Sequence, residues 1–381
     1  MATPEERYAH YKACTIAHPI LQLAFDLVLD HIHEPEGHPI VMVVGPPRSG
    51  KTFLFEWLIS EIMYEWAQQQ PSDPGRIPIV GLEVPGRDTL KPSWSLLYER
   101  ILRTLEEPLI DKKIVYGDVA LRSNGNGKIS FGERVTGGKM RIAVEEALKH
   151  RRPLAVLIDE IHHLLGMAGL SFQDQMDCVK SLANMGGTLL VLFGTYEALD
   201  LIGLSDQLTL RTKVIHLRRY TETDEDTANF EGAINTFQLE MPFLKEPDLL
   251  KHYDYIYERT LGCVGILRNW LLQAYRLALK EDAPTLTLKH LKKRVPLSAK
   301  QAQTWLTNIR GNEEEFYRKV GEDDSIAVED DADAKVAVEE AVTVGDLTDA
   351  GLPRLKPRRR SGRVGQRGPA RDKTGRKKRA A

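Results

Sequence analysis

Eight consecutive residues near the start of the chain have the types and spacing needed to hold a phosphate group. Residues 45–52 are GPPRSGKT, which fits the pattern G-x-x-x-x-G-K-[ST]. In such a loop, backbone N–H groups converge on phosphate oxygens, and Gly45 and Gly50 permit turns that a β-carbon would obstruct. The N-terminus of a following helix adds partial positive charge at the same point. The pattern therefore predicts a site for the phosphates of a nucleotide.

The second half of this loop is expected to make the contacts. Because Pro46 and Pro47 lack an N–H, the donors should come from the residues that follow them. These residues are Arg48, Ser49, Gly50, Lys51 and Thr52. The Lys51 ammonium is expected to reach the β- and γ-phosphates, and the Thr52 hydroxyl is expected to bind Mg²⁺. ATP and Mg²⁺ are the predicted cofactors.

Two adjacent carboxylates follow an apolar run further along the chain. Residues 154–158, LAVLI, predict a buried strand, and Asp159 and Glu160 stand at its end. Beside the phosphate loop, Asp159 would hold Mg²⁺ through its water shell and Glu160 would polarise the attacking water. The alternative is an ordinary solvated strand end. His162 and His163 follow, but neighbouring residues of a helix point about 100° apart, so the pair is not expected to share a metal ion.

Two further polar residues lie next to predicted strands. Residues 188–193, TLLVLF, predict a strand that ends shortly before Thr195. The Thr195 hydroxyl would orient the attacking water or sense the γ-phosphate; the alternative is a plain N-cap for a helix at 196–201. Arg211 precedes a predicted strand at 214–217. It would reach the nucleotide of a neighbouring subunit as an arginine finger, with a surface salt bridge as the alternative.

The elements that must position these residues alternate between strands and helices. An apolar, β-branched run at 40–44 predicts a buried strand before the phosphate loop, and residues 53–62 have the apolar spacing of a helix after it. From about residue 221 onward the spacing is helical, which suits a small lid. There, Arg268 lies one turn into a predicted helix, where it would touch the γ-phosphate as a second sensor or face solvent.

Three segments of the chain resemble a known family. Residues 159–165 (DEIHHLL), 192–199 (LFGTYEAL) and 206–211 (DQLTLR) are similar to the TniB/TnsC family, the AAA+ regulators encoded by transposons with heteromeric transposition systems. The resemblance covers roughly residues 10–290. It implies an α/β fold: an AAA+ P-loop ATPase with a five-stranded parallel sheet and a small helical lid. Thr212 stands directly after the predicted finger, where the family commonly has an aromatic residue.

The resemblance also implies partners. Members of the family assemble ATP-dependent rings or helical filaments around duplex DNA, with about six or seven subunits per turn. They connect a target-selecting protein to the transposase, and hydrolysis disassembles them. The chain is therefore expected to be a Mg²⁺-dependent ATPase that forms a homo-oligomer on DNA.

Two other functions stay open as alternatives. One is an initiator or loader ATPase that places a replicative helicase, and the other is a signalling NTPase with no DNA function. Initiators often carry a winged-helix domain, and residues 285–310 hold too short a helical pattern for one.

Charge divides the chain into a nearly neutral body and a charged tail. The net charge is −2, yet residues 313–349 contain 14 acidic and three basic residues, and residues 354–379 contain 13 basic residues and one acid. Blocks of like charge with few apolar residues favour disorder. The expected domains are an N-terminal helical segment at 1–35, a nucleotide-binding domain at 36–220, a helical lid at 221–312, an acidic linker at 313–353 and a disordered basic tail at 354–381.

Duplex DNA is expected to contact a glycine-rich insertion at 111–141, because scattered cations in such a loop can contact phosphates without reading bases. The candidate residues are Lys112, Lys113, Arg122, Lys128, Arg134 and Lys139. The alternative is a solvated loop. The basic tail could bind nucleic acid, dock on an acidic partner or fold back on the acidic segment before it. The resemblance favours a tail that engages the transposase side and whose basic end also touches DNA.

Composition also predicts the cellular location. Cys14, Cys178 and Cys263 lie far apart with no CxxC pair, so neither a disulfide framework nor a structural zinc site is expected. No apolar N-terminal segment and no run of about 18 apolar residues is present, which predicts neither secretion nor a membrane span. We expect a bacterial cytoplasmic protein associated with the nucleoid.

Overall fold

The computed structural model describes most of the first 321 residues. The described residues are 3–35, 37–69, 73–84, 94–110, 123–124, 128–129, 137–165, 182, 187–201 and 211–321, with only the backbone described at 123–124, 128–129, 137–139 and 201. The helices are α1 (Pro4–Ala13), α2 (Pro19–His33), α3 (Lys51–Gln68), α4 (Trp94–Thr104), α5 (Gly137–Arg151), α6 (Asp224–Leu239), α7 (Tyr253–Thr260), α8 (Val264–Lys280), α9 (Leu288–Lys293) and α10 (Ala299–Val320). The strands are β1 (Ile40–Val44), β2 (Ile79–Glu83), β3 (Ser123–Asn124), β4 (Lys128–Ile129), β5 (Ala155–Asp159), β6 (Leu189–Gly194) and β7 (Thr212–His216).

A five-stranded parallel sheet forms the centre of the structure. Its strand order is β2-β5-β6-β1-β7, and each neighbouring pair is parallel. Every residue of β1, β5 and β6 is buried, as expected for a sheet covered on both faces. This confirms the predicted α/β fold with a five-stranded parallel sheet. Since parallel strands end at the same edge, the segments after β1, β5 and β6 leave the sheet side by side.

Helices on the sheet hold the segment after β1 in place. α3 packs on β2, β5 and β6, and α2 packs on α3. The two helices meet through Phe25 and Trp57, whose rings stack with centroids 4.0 Å apart. Both side chains are fully buried, so the helix that follows the phosphate loop has a fixed position over the sheet.

The second half of the described chain is helical. After β7, helices α6 to α9 pack on one another, with α8 at their centre. Trp270 of α8 is fully buried, and its indole N–H donates to the Leu291 carbonyl of α9 at 3.0 Å. The helical structure expected from residue 221 onward is confirmed in these residues, and we call this region the lid, a role that stays a prediction.

The helix α10 attaches to both the lid and the sheet. Ala302 and Ile309 pack with Leu261 of the lid. Further along the helix, Phe316 is fully buried against His216 of β7, with ring centroids 4.1 Å apart. Lys319, in the last turn, pairs with Asp200 at 2.8 Å.

Two polar contacts accompany α10. The Arg219 guanidinium and the Glu313 carboxylate form a largely buried ion pair at 3.0 Å. Tyr196 donates its hydroxyl to His216 Nε2 at 2.8 Å. Burial lowers the pKa of His216 to about 3, so the ring is neutral and can accept this bond. The domain boundary expected after residue 312 thus falls inside α10, because residues 313–320 carry its contacts with the sheet.

Several predicted residues fall outside the described residues. Of the candidate DNA contacts, Lys112, Lys113, Arg122 and Arg134 lie outside them, as do residues 206–210 and the whole charged segment from residue 322. Lys128 lies on β4 and Lys139 on α5, with their side chains outside the described part. Within the described residues, no helix is long and apolar enough to cross a membrane.

Candidate nucleotide site

The predicted phosphate loop connects β1 to the first residue of α3. Its chain reverses at Gly50, whose φ of 107° lies in the left-handed region that favours glycine. The Ser49 N–H donates to the Pro46 carbonyl at 3.3 Å and closes the turn. Because α3 begins at Lys51, the unpaired N–H groups of its first turn adjoin the loop. The loop therefore has the strand, turn and helix needed for anion binding.

The Lys51 side chain folds back on this loop. Its ammonium donates to the carbonyls of Gly45 and Pro46, at 3.0 and 2.8 Å. Burial lowers the pKa of Lys51 to about 8, an effect that the nearby carboxylates of Glu160 and Asp159 oppose. A buried ammonium held by carbonyl groups can exchange these acceptors for phosphate oxygens. Its position agrees with the predicted role in binding phosphate.

Thr52 and Asp159 meet at the carboxyl edge of the sheet. The Thr52 hydroxyl donates to Asp159 Oδ2 at 2.8 Å, although 107 residues separate the two in sequence. The other carboxylate oxygen accepts the Glu160 N–H at 2.7 Å. Burial raises the pKa of Asp159. Mg²⁺ prefers hard oxygen ligands, so this hydroxyl and this buried carboxylate fit the ion.

Glu160 begins a tight turn after β5. Its φ of 56° is left-handed, and a 3₁₀ helix follows at Ile161–Leu164. Glu160 Oε2 lies 3.2 Å from His162 Nε2, while His163 Nδ1 lies 3.1 Å from the Val84 carbonyl. The catalytic carboxylate predicted from sequence is therefore in contact with a histidine that sequence reasoning did not assign to the site.

The two histidines differ from the expectation for an α-helix. Their ring centroids are 4.5 Å apart. His162, His163 and Glu160 each offer one potential ligand atom, and these atoms lie within 4.8 Å of one another. The argument that neighbouring residues point apart was wrong here, because the left-handed Glu160 and the 3₁₀ turn bring these side chains together.

Comparison with known proteins adds to this geometry. Residues 33–202 match the family described as AAA domain. This part of the chain is therefore similar to an AAA domain. No curated protein matches the chain. AAA domains belong to P-loop ATPases, which bind and hydrolyse nucleotides, and the β2-β5-β6-β1-β7 sheet with the phosphate loop after β1 is the AAA+ P-loop fold.

Solved structures give weaker likenesses. The Aeropyrum pernix ORC2 protein is 12% identical over 84% of this chain and 83% of its own, with a TM-score of 0.48. The A. pernix ORC1 protein in complex with DNA is 14% identical over 79% and 69%, with a TM-score of 0.49. Domain III of Thermotoga maritima DnaA is 14% identical over 75% and 97%, with a TM-score of 0.43. The fold follows instead from the strand order and the family match.

Thr195 follows a third strand that ends beside the candidate nucleotide site. It follows β6, which is between β5 and β1 in the sheet. Its hydroxyl is buried without a hydrogen-bond partner among the described residues, and the next 3₁₀ helix is capped by the Thr195 carbonyl, which accepts the Ala198 N–H at 2.9 Å. The side chain therefore makes no cap bond in this structure. Its role as a sensor stays a prediction.

The two predicted arginines have different surroundings. Arg211 is exposed immediately before β7, the edge strand of the sheet. Arg268 donates to the carbonyls of Lys12 and Cys14, at 2.8 and 3.2 Å. It thus binds the end of α1, whereas the sequence predicted either a contact with the γ-phosphate or exposure to solvent. A contact with the γ-phosphate would require Arg268 to release these carbonyls.

A lid glycine touches the phosphate loop directly. The Gly265 N–H, at the start of α8, donates to the Arg48 carbonyl at 3.1 Å. A β-carbon at residue 265 would lie inside the van der Waals distance of that carbonyl. The lid and the loop can keep this contact only with glycine at this position.

Replacing Gly265 with alanine is expected to lower the free energy of unfolding by about 1–3 kcal/mol, the range for steric overpacking. The added methyl group must push α8 away from Arg48. Gly232→Ala is the matched control, since Gly232 is exposed on the lid helix α6 with open space around it; it is expected to stabilise by up to about 1 kcal/mol. Urea denaturation measures both, and equal shifts would contradict the steric account.

Proposed function

We propose that this chain is an ATP-dependent regulator of DNA transposition that oligomerises on duplex DNA and couples target-site selection to the transposase. The proposed dependence on ATP is supported by the contact between the Thr52 hydroxyl and the buried Asp159 carboxylate beside the phosphate loop. The transposition part is supported by the three segments that resemble the TniB/TnsC family.

The proposed mechanism assigns one task to each residue at the sheet edge. Lys51 binds the β- and γ-phosphates, and Thr52 and Asp159 hold Mg²⁺. The ion, when bound, offsets the charge that develops on the phosphates. Glu160 polarises the attacking water. Thr195, whose buried hydroxyl has no partner within the described part of the chain, orients that water.

A second subunit completes this site. Arg211 is exposed immediately before the edge strand β7, and it is proposed to extend to a neighbouring subunit. When each subunit supplies an arginine to the next, the interface is head-to-tail and builds a ring or a helical filament. ATP then controls assembly because its γ-phosphate is the group that the arginine contacts. Hydrolysis removes that contact and releases the assembly.

DNA is proposed to bind through the basic insertion at 111–141 and the basic end of the chain. The phosphate backbone is the proposed target, since scattered lysines and arginines bind it without reading sequence. The acidic and basic C-terminal segments are also proposed to engage the transposase.

ATP is expected to convert the chain from small species into large assemblies on duplex DNA. Light scattering after size exclusion measures this, with ATP alone, DNA alone and both together. Because phosphate contacts release counterions, DNA affinity should fall steeply between about 50 and 200 mM salt. Only monomers in the presence of both ligands would refute the proposal. Intact ATP binding without DNA binding would instead point to a signalling NTPase.

Mixing two inactive variants tests the shared site. Lys51→Ala removes a subunit's own nucleotide site but keeps its Arg211; Arg211→Ala does the opposite. Each alone should lose at least about a thousandfold in ATPase rate, the usual value of an arginine finger or more. The mixture should regain measurable activity at interfaces where an intact Arg211 meets an intact site. Arg310 is an exposed arginine on α10, so Arg310→Ala is the control and should keep its ATPase activity. A mixture without ATPase activity would contradict the role of Arg211 as an arginine finger.

An initiator or helicase-loader ATPase is the alternative function. Residues 285–321 form α9 and α10 with their connections, and these described residues contain no winged-helix domain. A strand-transfer assay with a transposase from a heteromeric transposition system separates the two functions. Stimulation of strand transfer by the ATP-bound chain supports transposition, and loading of a replicative helicase supports the alternative.

A further inference from the structure

His162 makes a contact that its neighbour does not. Its Nε2 lies 3.2 Å from Glu160 Oε2. His163 instead uses Nδ1 to contact the Val84 carbonyl, at 3.1 Å, at the end of β2. The turn is therefore tied to the sheet by one histidine, while the other faces the carboxylate.

The backbone explains how a residue two positions along can reach that carboxylate. Glu160 is left-handed, with φ 56° and ψ 37°, and the 3₁₀ helix begins immediately after it. The His163 N–H donates to the Glu160 carbonyl at 2.9 Å, which closes the turn. This reversal brings the His162 ring back over Glu160. In a regular α-helix, residues two positions apart point to nearly opposite sides, so these two side chains would diverge.

The other nitrogen of His162 argues against simple packing. Nδ1 is buried and has no hydrogen-bond partner among the described residues. A buried polar atom without a partner is costly, and a histidine placed only for packing would be expected to satisfy both nitrogens. The ring's other nitrogen, Nε2, lies 3.2 Å from Glu160 Oε2, so a proton on Nε2 would point to the carboxylate.

We propose that His162 is a positioning residue for Glu160: it holds Oε2 and thereby presents Oε1 to the attacking water. A carboxylate on a flexible side chain samples several rotamers, and a fixed donor on one oxygen removes most of them. The inference rests on the proposed ATPase function, because it assigns a role relative to the catalytic Glu160.

The test compares steady-state ATP hydrolysis by the full chain on duplex DNA. His162→Ala should lower kcat about tenfold and leave KM for ATP within about twofold, since the lost contact acts on the chemical step. His162→Gln should recover most of the rate, because its amide nitrogen can replace Nε2. His163→Ala is the matched control and should lose less than about twofold. Thermal melting of each variant checks that it is folded.

A double variant separates positioning from a general structural effect. In a Glu160→Gln background, adding His162→Ala should lower the remaining rate by less than about twofold, because its effect passes through the carboxylate. A further tenfold loss there, equal losses in the two histidine variants, or a His162→Ala enzyme as fast as wild type would each overturn the inference. A wild-type chain that binds no ATP would refute the proposed function itself, which fluorescent-nucleotide binding detects separately.

Discussion

Alanine in place of Lys51 is expected to lower the affinity for ATP by at least about a hundredfold. The Lys51 ammonium is already desolvated and held against its own loop by the Gly45 and Pro46 carbonyls. It therefore needs little reorganisation before it meets a phosphate. Hydrogen bonds to charged groups contribute about 1.5–3 kcal/mol each, and two such bonds correspond to about a hundredfold or more in affinity.

Calorimetry of the nucleotide-free protein titrated with ATP and Mg²⁺ measures this loss. Lys280→Ala is the control, since Lys280 is an exposed cation at the end of α8, on the lid. It removes the same charge and should bind ATP as the wild type does. An affinity of Lys51→Ala within about threefold of the wild type would mean that the triphosphate does not occupy this loop.

Glutamine in place of Glu160 is expected to separate binding from hydrolysis. The amide keeps the size of the side chain but cannot polarise water as a carboxylate does, so kcat should fall by about a hundredfold to a thousandfold. Affinity for ATP should change little, because the Thr52–Asp159 contact and Lys51 are left in place. Assemblies on DNA should live longer, since hydrolysis is the step proposed to release them.

Single-turnover hydrolysis and the dissociation rate of labelled DNA measure these two effects. Glu83→Gln is the matched control: Glu83 ends β2 opposite Asp159 in the sheet, and its side chain is exposed. It should hydrolyse ATP and release DNA normally. If the Glu160→Gln variant hydrolyses ATP at the wild-type rate, another group must activate the attacking water.

The sheet and the phosphate loop could be predicted because their signals are local. β1, β5 and β6 are apolar runs buried on both faces, so each is recognisable without its neighbours. The order of the strands then follows from the AAA+ resemblance. The meeting of Thr52 and Asp159 could also be anticipated, since β1, which leads into the loop before Thr52, and β5, which ends at Asp159, are parallel strands that finish at the same edge of the sheet.

Other contacts depend on distant or unusual backbone positions and could not be read from the sequence. Arg268 binds carbonyls of α1, which is more than 250 residues earlier in the chain. His162 reaches Glu160 only because Glu160 is left-handed, and helical spacing suggests the opposite. The boundary after residue 312 was drawn from charge. Charge does not reveal that Phe316, which directly follows three glutamates, would be buried.

The double attachment of α10 limits how the lid can move. One part of this helix packs on Leu261 in the lid, and its last turns pack on His216 and pair with Asp200 beside the sheet. A helix held at two places restricts the relative motion of the parts that it joins. Opening of the lid must therefore either bend α10 or break its contacts with the lid or with the sheet. Because His216 also contacts Tyr196, the residue after Thr195, a displacement of α10 at His216 would also act on the segment that carries Thr195.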